Sequence, residues 1–235
     1  MKRLLILYTV LIIINSSCVK NDVKGNLESC YSNTNAQYIF HNGTRREYEL
    51  YIPDSYDESS TSPLMLNFHG FGGSASNHMI NADFRALAES DAFILVCPQG
   101  SCSEGSPHWN PCPVGGDNKS TADDLGFVEA LIGDISSKYN LDMERIYAAG
   151  YSNGAMMAYG LANYKSDLIA AVASVSGAML NCTGPTSHPM PVVHLHGTSD
   201  YVIPYEGGDY SAVQTTLDYW IDFNNTVTNP TINSE

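Results

Sequence analysis

Residues 150–154, with the sequence Gly-Tyr-Ser-Asn-Gly, decide which fold the chain predicts. An apolar run, Ile-Tyr-Ala-Ala, precedes them at 146–149, and a stretch rich in Ala and Met follows at 153–164. A G-x-S-x-G pattern between a strand and a helix forces a tight turn and lifts the serine hydroxyl above the edge of the sheet. The start of the helix stabilises negative charge that develops there. We therefore predict that Ser152 is a nucleophile; a purely structural turn is the alternative.

The chain around this turn alternates between apolar strands and helical patterns. Strands are predicted near residues 38–40, 48–52, 64–68, 92–97, 146–149, 169–175 and 192–195. Helices are predicted at 78–90, from 120 onwards, at 153–164 and at 211–223, and a surface loop is predicted at 101–119. Strands that are apolar on both faces and separated by helices imply a mostly parallel central sheet with helices on both faces. The prediction is one α/β domain over residues 36–235.

A second motif, His-Gly-Phe-Gly-Gly at 69–73, follows the strand predicted at 64–68. Glycines there allow backbone N–H groups to face a ligand, as an oxyanion hole requires. We assign one donor to the N–H of Phe71 and the other to the N–H of Asn153, the residue after the predicted nucleophile. His69 is expected to hold the loop rather than to transfer protons. A simple glycine-rich turn is the alternative to an oxyanion hole.

A candidate acid lies in the segment Val-His-Leu-His-Gly-Thr-Ser-Asp at 193–200, which is predicted as a strand that runs into a loop. An acid after a later strand fits the chain order Ser, Asp, His, in which the carboxylate orients an imidazole and stabilises it when protonated. We therefore predict Asp200 as this acid, with a loop-capping role as the alternative. His194 and His196 point to the same face, but no third ligand follows at regular spacing, so no metal and no cofactor are expected.

Together these motifs are similar to a known family. Residues 45–223 resemble an esterase group of the α/β-hydrolase fold that includes polyhydroxybutyrate depolymerases and type-1 carbohydrate esterases, such as feruloyl and acetylxylan esterases. The matching stretches are His-Gly-Phe-Gly-Gly at 69–73, Cys-Pro-Gln-Gly at 97–100, Trp-Asn at 109–110, Asp-Asp-Leu-Gly-Phe-Val at 123–128, Arg-Ile-Tyr-Ala at 145–148, Gly-Tyr-Ser-Asn-Gly-Ala-Met-Met at 150–157, His-Gly-Thr-Ser-Asp at 196–200 and Pro-Tyr at 204–205. The resemblance implies a secreted carboxylic-ester hydrolase that uses Ser152 and Asp200.

The family's triad also has a histidine near the C-terminus, but no histidine follows Asp200 in this sequence. Residues 224–230 are polar and resemble a linker more than the last strand and helix that the fold needs. We therefore expect a fragment whose last strand and helix are missing, rather than a catalytically silent homologue. As written, the chain should have little esterase activity, because a serine needs a base to become a useful nucleophile.

The expected substrate is a polymeric or bulky ester. The sequence between Ser152 and Asp200 leaves no room for a large lid domain, and an uncovered cleft suits such esters better than buried lipid chains. Trp109, in the predicted loop, is a candidate for stacking on a sugar or an aromatic acid, with simple packing as the alternative. Two other functions remain open: a non-catalytic surface lipoprotein that binds polysaccharide, and a serine peptidase of related fold.

Composition limits the partners further. Eleven Lys and Arg residues against 25 Asp and Glu residues give a net charge of −14, which argues against nucleic acid as a partner. The hydrophobic fraction of 43% and the charged fraction of 15% predict a sizeable buried core. We expect a monomer whose partner is its ester substrate.

The N-terminus is typical of an export signal. Within residues 1–17, two basic residues precede an apolar stretch at 4–14 that is too short to span a bilayer. Small and polar residues then precede Cys18, which resembles a bacterial lipobox, so a lipid on Cys18 is the expected membrane contact; ordinary cleavage is the alternative. Residues 18–35 are polar and are predicted to be a tether. The expected location is extracellular or on the cell surface.

Five cysteines follow Cys18, and export permits disulfides between them. Cys102 and Cys112 flank a stretch rich in Gly, Pro and Ser and form the most favourable local pair, although spacing does not fix connectivity. Cys97 follows an apolar run and is expected to be a buried free thiol. The odd count suggests that one disulfide partner lies outside this sequence.

Overall fold

The elements follow the predicted alternation of strands and helices closely. The computed structural model describes Cys30 and residues 36–226. Its strands are β1 Gln37–His41, β2 Thr44–Tyr51, β3 Ser62–Phe68, β4 Ile94–Pro98, β5 Ser101–Ser103, β6 Ser106–His108, β7 Leu141–Tyr151, β8 Ala171–Val175 and β9 Val192–Leu195. Its helices are α1 Ala75–Asn81, α2 Arg85–Asp91, α3 Asp124–Lys138, α4 Asn153–Tyr164 and α5 Val213–Phe223.

A seven-stranded sheet in the order β1-β2-β4-β3-β7-β8-β9 organises the fold. Strands β4, β3, β7, β8 and β9 run parallel to one another, whereas β1 and β2 form an antiparallel hairpin at one edge. The hairpin turns at Asn42 and Gly43, whose φ angles of 49° and 76° are the left-handed values that an Asn-Gly turn supplies. Both the mostly parallel sheet and this hairpin confirm the sequence predictions.

Helices cover both faces of the sheet because strand residues alternate between two cores. In β3, Leu64 and Leu66 belong to the large core that includes residues of α3, α4 and α5. Met65, between them, packs against the smaller cluster formed by α1, α2 and β4. A shift of one residue would exchange these faces, so the alternation fixes the register and brings the carboxyl ends of the parallel strands to one edge.

The helix predicted at 78–90 is wrong in one respect, since two helices, α1 and α2, occupy this region. The break falls at residues 82–84. Asp83 accepts a hydrogen bond from the backbone N–H of Arg85 at 3.0 Å, and Asn67 donates to the carbonyl of Ala82 at 3.2 Å. These side-chain bonds replace the intrahelical pairing that a continuous helix would need.

The predicted surface loop at 101–119 is also partly wrong. Its first half forms the short β5–β6 hairpin, and the next two residues, Trp109 and Asn110, are completely buried. Asn110 donates to the Asp124 carboxylate from both its backbone and its side chain, each at 2.8 Å. Polar side chains rather than apolar periodicity order this segment, so a hydrophobic pattern did not indicate it.

Four cysteines form two disulfides that differ from the predicted pairing. Cys30 is bonded to Cys102, and Cys112 is bonded to Cys182, so the predicted Cys102–Cys112 pair is wrong. The β5–β6 hairpin and the buried residues after it separate the two, and each is joined to a distant segment instead. Cys97 is free and buried, as predicted, and burial raises the pKa of its thiol to about 12. Cys97 accounts for the odd count, so no partner outside the sequence is needed.

The N-terminal predictions fall on residues that the structure does not describe. The signal at 1–17, Cys18 and most of the tether at 18–35 lie outside the described residues. Cys30 is the exception: it is buried, and its disulfide attaches that point of the predicted tether to the domain. Between residues 36 and 226, no helix combines the length and the apolar character needed to cross a bilayer.

Candidate active site

Ser152 occupies a strained turn between β7 and α4. Its φ and ψ angles are 55° and −121°, a combination that non-glycine residues rarely adopt. The glycines on either side make the turn sterically possible. A Cβ at Gly150 would overlap the carbonyl oxygen of Gly154, and a Cβ at Gly154 would overlap the carbonyl oxygen of Phe68. The backbones of β7, α4 and β3 thus approach one another so closely that only glycine fits at positions 150 and 154.

Hydrogen bonds on both sides hold this conformation. The N–H of Ser152 donates to the carbonyl of Val175 in β8 at 2.9 Å. The carbonyl of Ser152 accepts from the N–H groups of Ala155 at 2.9 Å and Met156 at 3.1 Å, in the first turn of α4. A backbone outlier of this kind costs of the order of 1–3 kcal/mol and persists only where surrounding contacts over-determine it, often at functional sites.

The predicted oxyanion loop lies beside this turn. A Cβ placed on Gly70 would lie 3.4 Å from the Cβ of Ser152, which shows how near the loop backbone is to the serine side chain. The N–H of Gly72 donates to the carbonyl of Pro107 at 2.8 Å, and the N–H of Gly73 donates to Gly70 at 3.0 Å. Within the described part of the chain, the N–H of Phe71 has no such partner. The N–H of Asn153 is the first of α4, a position that lacks an intrahelical acceptor.

Trp109 links the serine turn to the glycine-rich loop. Its backbone N–H donates to the Asn153 side-chain oxygen at 2.7 Å, and its carbonyl accepts from the Asn153 amide at 3.1 Å. Its indole N–H donates to the carbonyl of His69 at 2.9 Å, and its ring packs edge-on against Phe68. Because the side chain is fully buried, it does not stack on a substrate, and that candidate role is wrong. The Trp109–Asn153 pairing escaped the sequence reasoning, since the two residues are far apart in the chain.

His69 holds the glycine-rich loop from inside the protein. Its Nε2 accepts a hydrogen bond from the N–H of Gly100 at 3.0 Å, so its proton resides on Nδ1, which donates to the carbonyl of Gly70 at 2.7 Å. Burial lowers the pKa of His69 to about 4, so the ring is neutral near pH 7. A neutral ring with both nitrogens bonded to the loop and to the end of β4 is a positioning group.

Asp200 lies in the loop after β9. Its Oδ1 accepts hydrogen bonds from the backbone N–H groups of Val202 and Ile203, both at 2.9 Å. Hydrogen bonds from Ile203 and Val202 lower the pKa of Asp200, so the carboxylate is ionised near neutrality. Its Oδ2 lies 3.6 Å from Nε2 of His196, which itself contacts the carbonyl of Ile203 at 2.8 Å. The turn therefore fixes one carboxylate oxygen and holds the charge in place.

Ser152 and Asp200 leave the same edge of the sheet. Tyr151, Val175 and Leu195 are aligned across β7, β8 and β9, so the two loops begin side by side, two strands apart. Two strand spacings amount to about 10 Å, which leaves room for an imidazole between the side chains. No hydrogen bond recorded for the described residues joins a histidine to Ser152. The arrangement provides a strained serine, two candidate amide donors and a carboxylate, and it leaves the position of the base open.

The two histidines of the β9 segment pack against each other and against neighbouring side chains. Their rings stack with centroids 5.3 Å apart, and His194 Nδ1 lies 2.6 Å from the Tyr159 hydroxyl inside the large core. Among residues 36–226 and Cys30, no three metal-ligating side chains converge. His194 packs against Tyr159 of α4, whereas His196 contacts Ile203 and Tyr205 in the loop after β9.

A mainly apolar cavity of about 400 Å³ opens next to the serine turn. Its lining includes Phe84, Gly150, Tyr151, Val175 and Leu195. Tyr151 and Leu195 are more than half exposed there. The cavity lies against the sheet where β7, β8 and β9 end, and Ser152 is not among its lining residues.

Comparisons with known proteins agree with this geometry. The profile of the phospholipase/carboxylesterase family matches residues 56–232. The chain is 30% identical over 164 residues to a bifunctional acetylxylan esterase/xylanase of Neocallimastix patriciarum, a match that covers 70% of this chain and 23% of the relative. It is 31% identical over 182 residues to feruloyl esterase B of Piromyces equi, which covers 72% of this chain and 32% of the relative. The chain thus spans less than a third of the length of these two relatives.

Among solved structures, the carboxylesterase of Bacillus cereus superposes with a TM-score of 0.56. The sequences are 20% identical, and the match covers 85% of this chain and 86% of the other. At this identity the likeness supports the fold and nothing finer.

Proposed function

Because the chain belongs to the phospholipase/carboxylesterase family and has the α/β-hydrolase fold, we propose that it is the nucleophile-bearing part of a serine esterase. The observation that carries the proposal is the conformation of Ser152. A non-glycine residue at φ 55° and ψ −121°, between glycines that admit no side chain, costs free energy that a structural turn would not need to spend.

The proposed reaction has two steps. The Ser152 hydroxyl attacks the carbonyl carbon of an ester, a histidine base takes the hydroxyl proton, and the carbonyl electrons move onto oxygen. The N–H groups of Phe71 and Asn153 stabilise this oxyanion, and Asp200 stabilises the imidazolium. The tetrahedral intermediate collapses, the C–O bond of the ester breaks, and the imidazolium gives its proton to the leaving oxygen, which departs as the neutral alcohol. Water, deprotonated by the same histidine, then attacks the acyl-serine, and Ser152 regains a proton as the acid is released.

The proposed substrates are polymer-linked or bulky carboxylic esters, such as acetyl or feruloyl esters of plant polysaccharide or polyhydroxyalkanoates. Two supports are available: the relatives are an acetylxylan esterase/xylanase and a feruloyl esterase by name, and the residues around the site are open. Phe71 is 55% exposed and Tyr201, next to Asp200, is 92% exposed. Exposed aromatic rings on both sides of a nucleophile offer flat surfaces to a large substrate. We place the enzyme outside the cell or on its surface, as the N-terminal sequence predicts.

The test is active-site labelling and ester hydrolysis by the natural full-length protein. A fluorophosphonate probe should label the protein, and Ser152→Ala should abolish both labelling and p-nitrophenyl acetate hydrolysis. Ser90→Ala, at an exposed serine of α2, is the matched control and should change neither. Unchanged activity of Ser152→Ala, or labelling that stays on another residue, would refute the assignment. Release of acetate or ferulate from xylan, together with no cleavage of peptide substrates, then defines the ester class.

A further inference from the structure

A groove separate from the serine turn lies at the β1–β2 edge of the molecule. One cavity of about 640 Å³ is bounded by the turn of the β1–β2 hairpin, by β5 and by the residues before α3. A second, of about 590 Å³, continues along α3 to Tyr164 and Lys165. The two share His41, Val114 and Asp123, so they form one elongated depression, which we call the hairpin groove. Its length suits an extended ligand better than a compact one.

The Arg and Lys side chains that line the hairpin groove are paired with carboxylates. His41 Nε2 lies 3.2 Å from the Asp123 carboxylate. Arg46 donates to Asp124 at 2.6 Å, with its guanidinium 3.9 Å above the ring of Phe127. Lys165 is paired with Glu129. The two cations among the lining residues are thus already paired and offer little attraction to an anionic ligand, and the acidic chain as a whole repels polyanions.

The rest of the lining is rich in groups that exchange hydrogen bonds with hydroxyls. It contains side chains of Asn42, Thr44, Ser103, Ser120 and Thr121. Asn42, Thr44 and Thr121 are exposed, whereas the Ser120 hydroxyl already contacts side chains of the protein. Val114, which is 59% exposed, adds an apolar surface on one side. Exposed hydroxyl and amide side chains beside a small apolar surface match the hydroxyl groups and C–H faces of a sugar chain.

The hairpin groove is distinct from the serine site, although it lies near the same edge of the sheet. The β5–β6 hairpin stands between them. On its inner side the carbonyl of Pro107 accepts from Gly72 of the oxyanion loop, and on its outer side Cys102 and Ser103 line the groove. The disulfide from Cys102 to Cys30 anchors that outer side. None of the residues that line the groove lines the cavities beside Ser152.

We propose that the hairpin groove binds a stretch of a neutral, hydroxyl-rich polysaccharide chain. This site would hold the polymer on one side of the β5–β6 hairpin while an ester substituent reaches Ser152 on the other. The inference rests on the proposed esterase function for its biological sense, but the binding itself does not depend on hydrolysis.

The experiment measures binding of linear xylohexaose to the natural full-length protein by isothermal titration calorimetry at neutral pH. Thr44→Trp and Thr121→Trp place a large side chain in the groove at exposed positions, and each should weaken binding at least tenfold. Thr61→Trp is the matched control, because Thr61 is exposed and also stands at the start of a strand. It should bind as the parent does. Thermal unfolding of each variant shows whether it is folded, and two independent blocking positions keep the test decisive if one fails.

Three outcomes would overturn the proposal. They are no binding of xylohexaose to the parent, undiminished binding to folded Thr44→Trp and Thr121→Trp, and equal or tighter binding of the polyanion hexagalacturonate. The blocking variants should retain p-nitrophenyl acetate hydrolysis, since they lie outside the serine site. Failure of the groove therefore leaves labelling of Ser152 intact, whereas failure of the esterase proposal removes labelling and leaves xylohexaose binding in place.

Discussion

The two ends of the candidate site are built in different ways. The serine turn at 150–154 and the proposed oxyanion loop at 69–73 are held by close backbone packing, since a Cβ at Gly150 or Gly154 would overlap a carbonyl oxygen. The acid loop at 196–203 is open: an added Cβ at Gly197 would meet nothing within 4 Å, and Tyr201 is almost wholly exposed. Steric exclusion therefore fixes the turn of Ser152, the proposed nucleophile, whereas short-range hydrogen bonds fix Asp200, the proposed acid. Perturbation should be far more costly at the first region than at the second.

The sharpest test of this contrast is a matched pair of glycine substitutions. Gly154→Ala forces a Cβ into the carbonyl oxygen of Phe68, so it should lower the free energy of unfolding by roughly 3 kcal/mol and abolish fluorophosphonate labelling. Gly197→Ala adds the same methyl group to open space and should change stability by less than about 0.5 kcal/mol. Urea unfolding of both variants measures the difference. Similar losses at the two positions would show that the regions do not differ in packing.

Protonation of His69 is the second way to weaken the nucleophile region. Its pKa is about 4 in the folded protein, against about 6.5 in an unfolded chain, because burial disfavours the imidazolium. The unfolded state therefore binds more protons between these values. The contribution of neutral His69 to the free energy of unfolding is fully present above about pH 6.5. It is lost as the pH falls toward 4, by about 3 kcal/mol in total.

The measurement for His69 is urea unfolding from pH 7 to pH 4 for the parent and for His69→Gln. The difference in stability between the two should shrink as the pH falls, since only the parent has this imidazole to protonate. His78 and His194, whose pKa values are also lowered by burial, are present in both proteins and cancel. A difference that stays constant across the range would contradict the assigned state of His69.

Trp109→Phe removes one hydrogen bond from the nucleophile region while it preserves most of the packing. It leaves the carbonyl of His69 without its indole donor, at a buried position, so we expect a loss of about 1–3 kcal/mol. Tyr201→Phe removes a hydroxyl from a side chain in the acid loop that is 92% exposed, and it should leave stability unchanged. Thermal unfolding of both variants checks the pair, and an equal effect of the two would argue against the contrast.

The sequence predicted features that have a local signature and missed contacts between distant residues. The turn around Ser152 and the Gly-rich loop have local signatures, because steric demands select glycine at fixed positions next to a strand and a helix. The sheet followed from apolar runs. Other contacts join residues that are not neighbours in the chain, so no local sequence pattern predicts them. They are the hydrogen bonds of Trp109 with Asn153 and of Asn110 with Asp124, and the two disulfides. Their polar partners become visible only once the fold brings them together.

The smallest expected effect belongs to the acid loop itself. The N–H groups of Ile203 and Val202 lower the pKa of Asp200 below its usual value of about 3.9, so ionised Asp200 favours the folded state. This contribution is present above the unfolded pKa and is lost as the pH falls through the lower, folded pKa. Asp200→Asn removes it at every pH, because the amide does not titrate and presents a weaker acceptor to the two N–H groups.

The stability of the parent should therefore exceed that of Asp200→Asn slightly at pH 7, and the two should converge as the pH falls below 4. Urea unfolding at pH 7, 5 and 3.5 measures this convergence, and Asp218→Asn, at an exposed carboxylate of α5, is the control. A difference as large as that for Gly154→Ala would mean that the acid loop is held as tightly as the serine turn. A difference that grows at low pH would mean that the two N–H groups do not favour the ionised carboxylate.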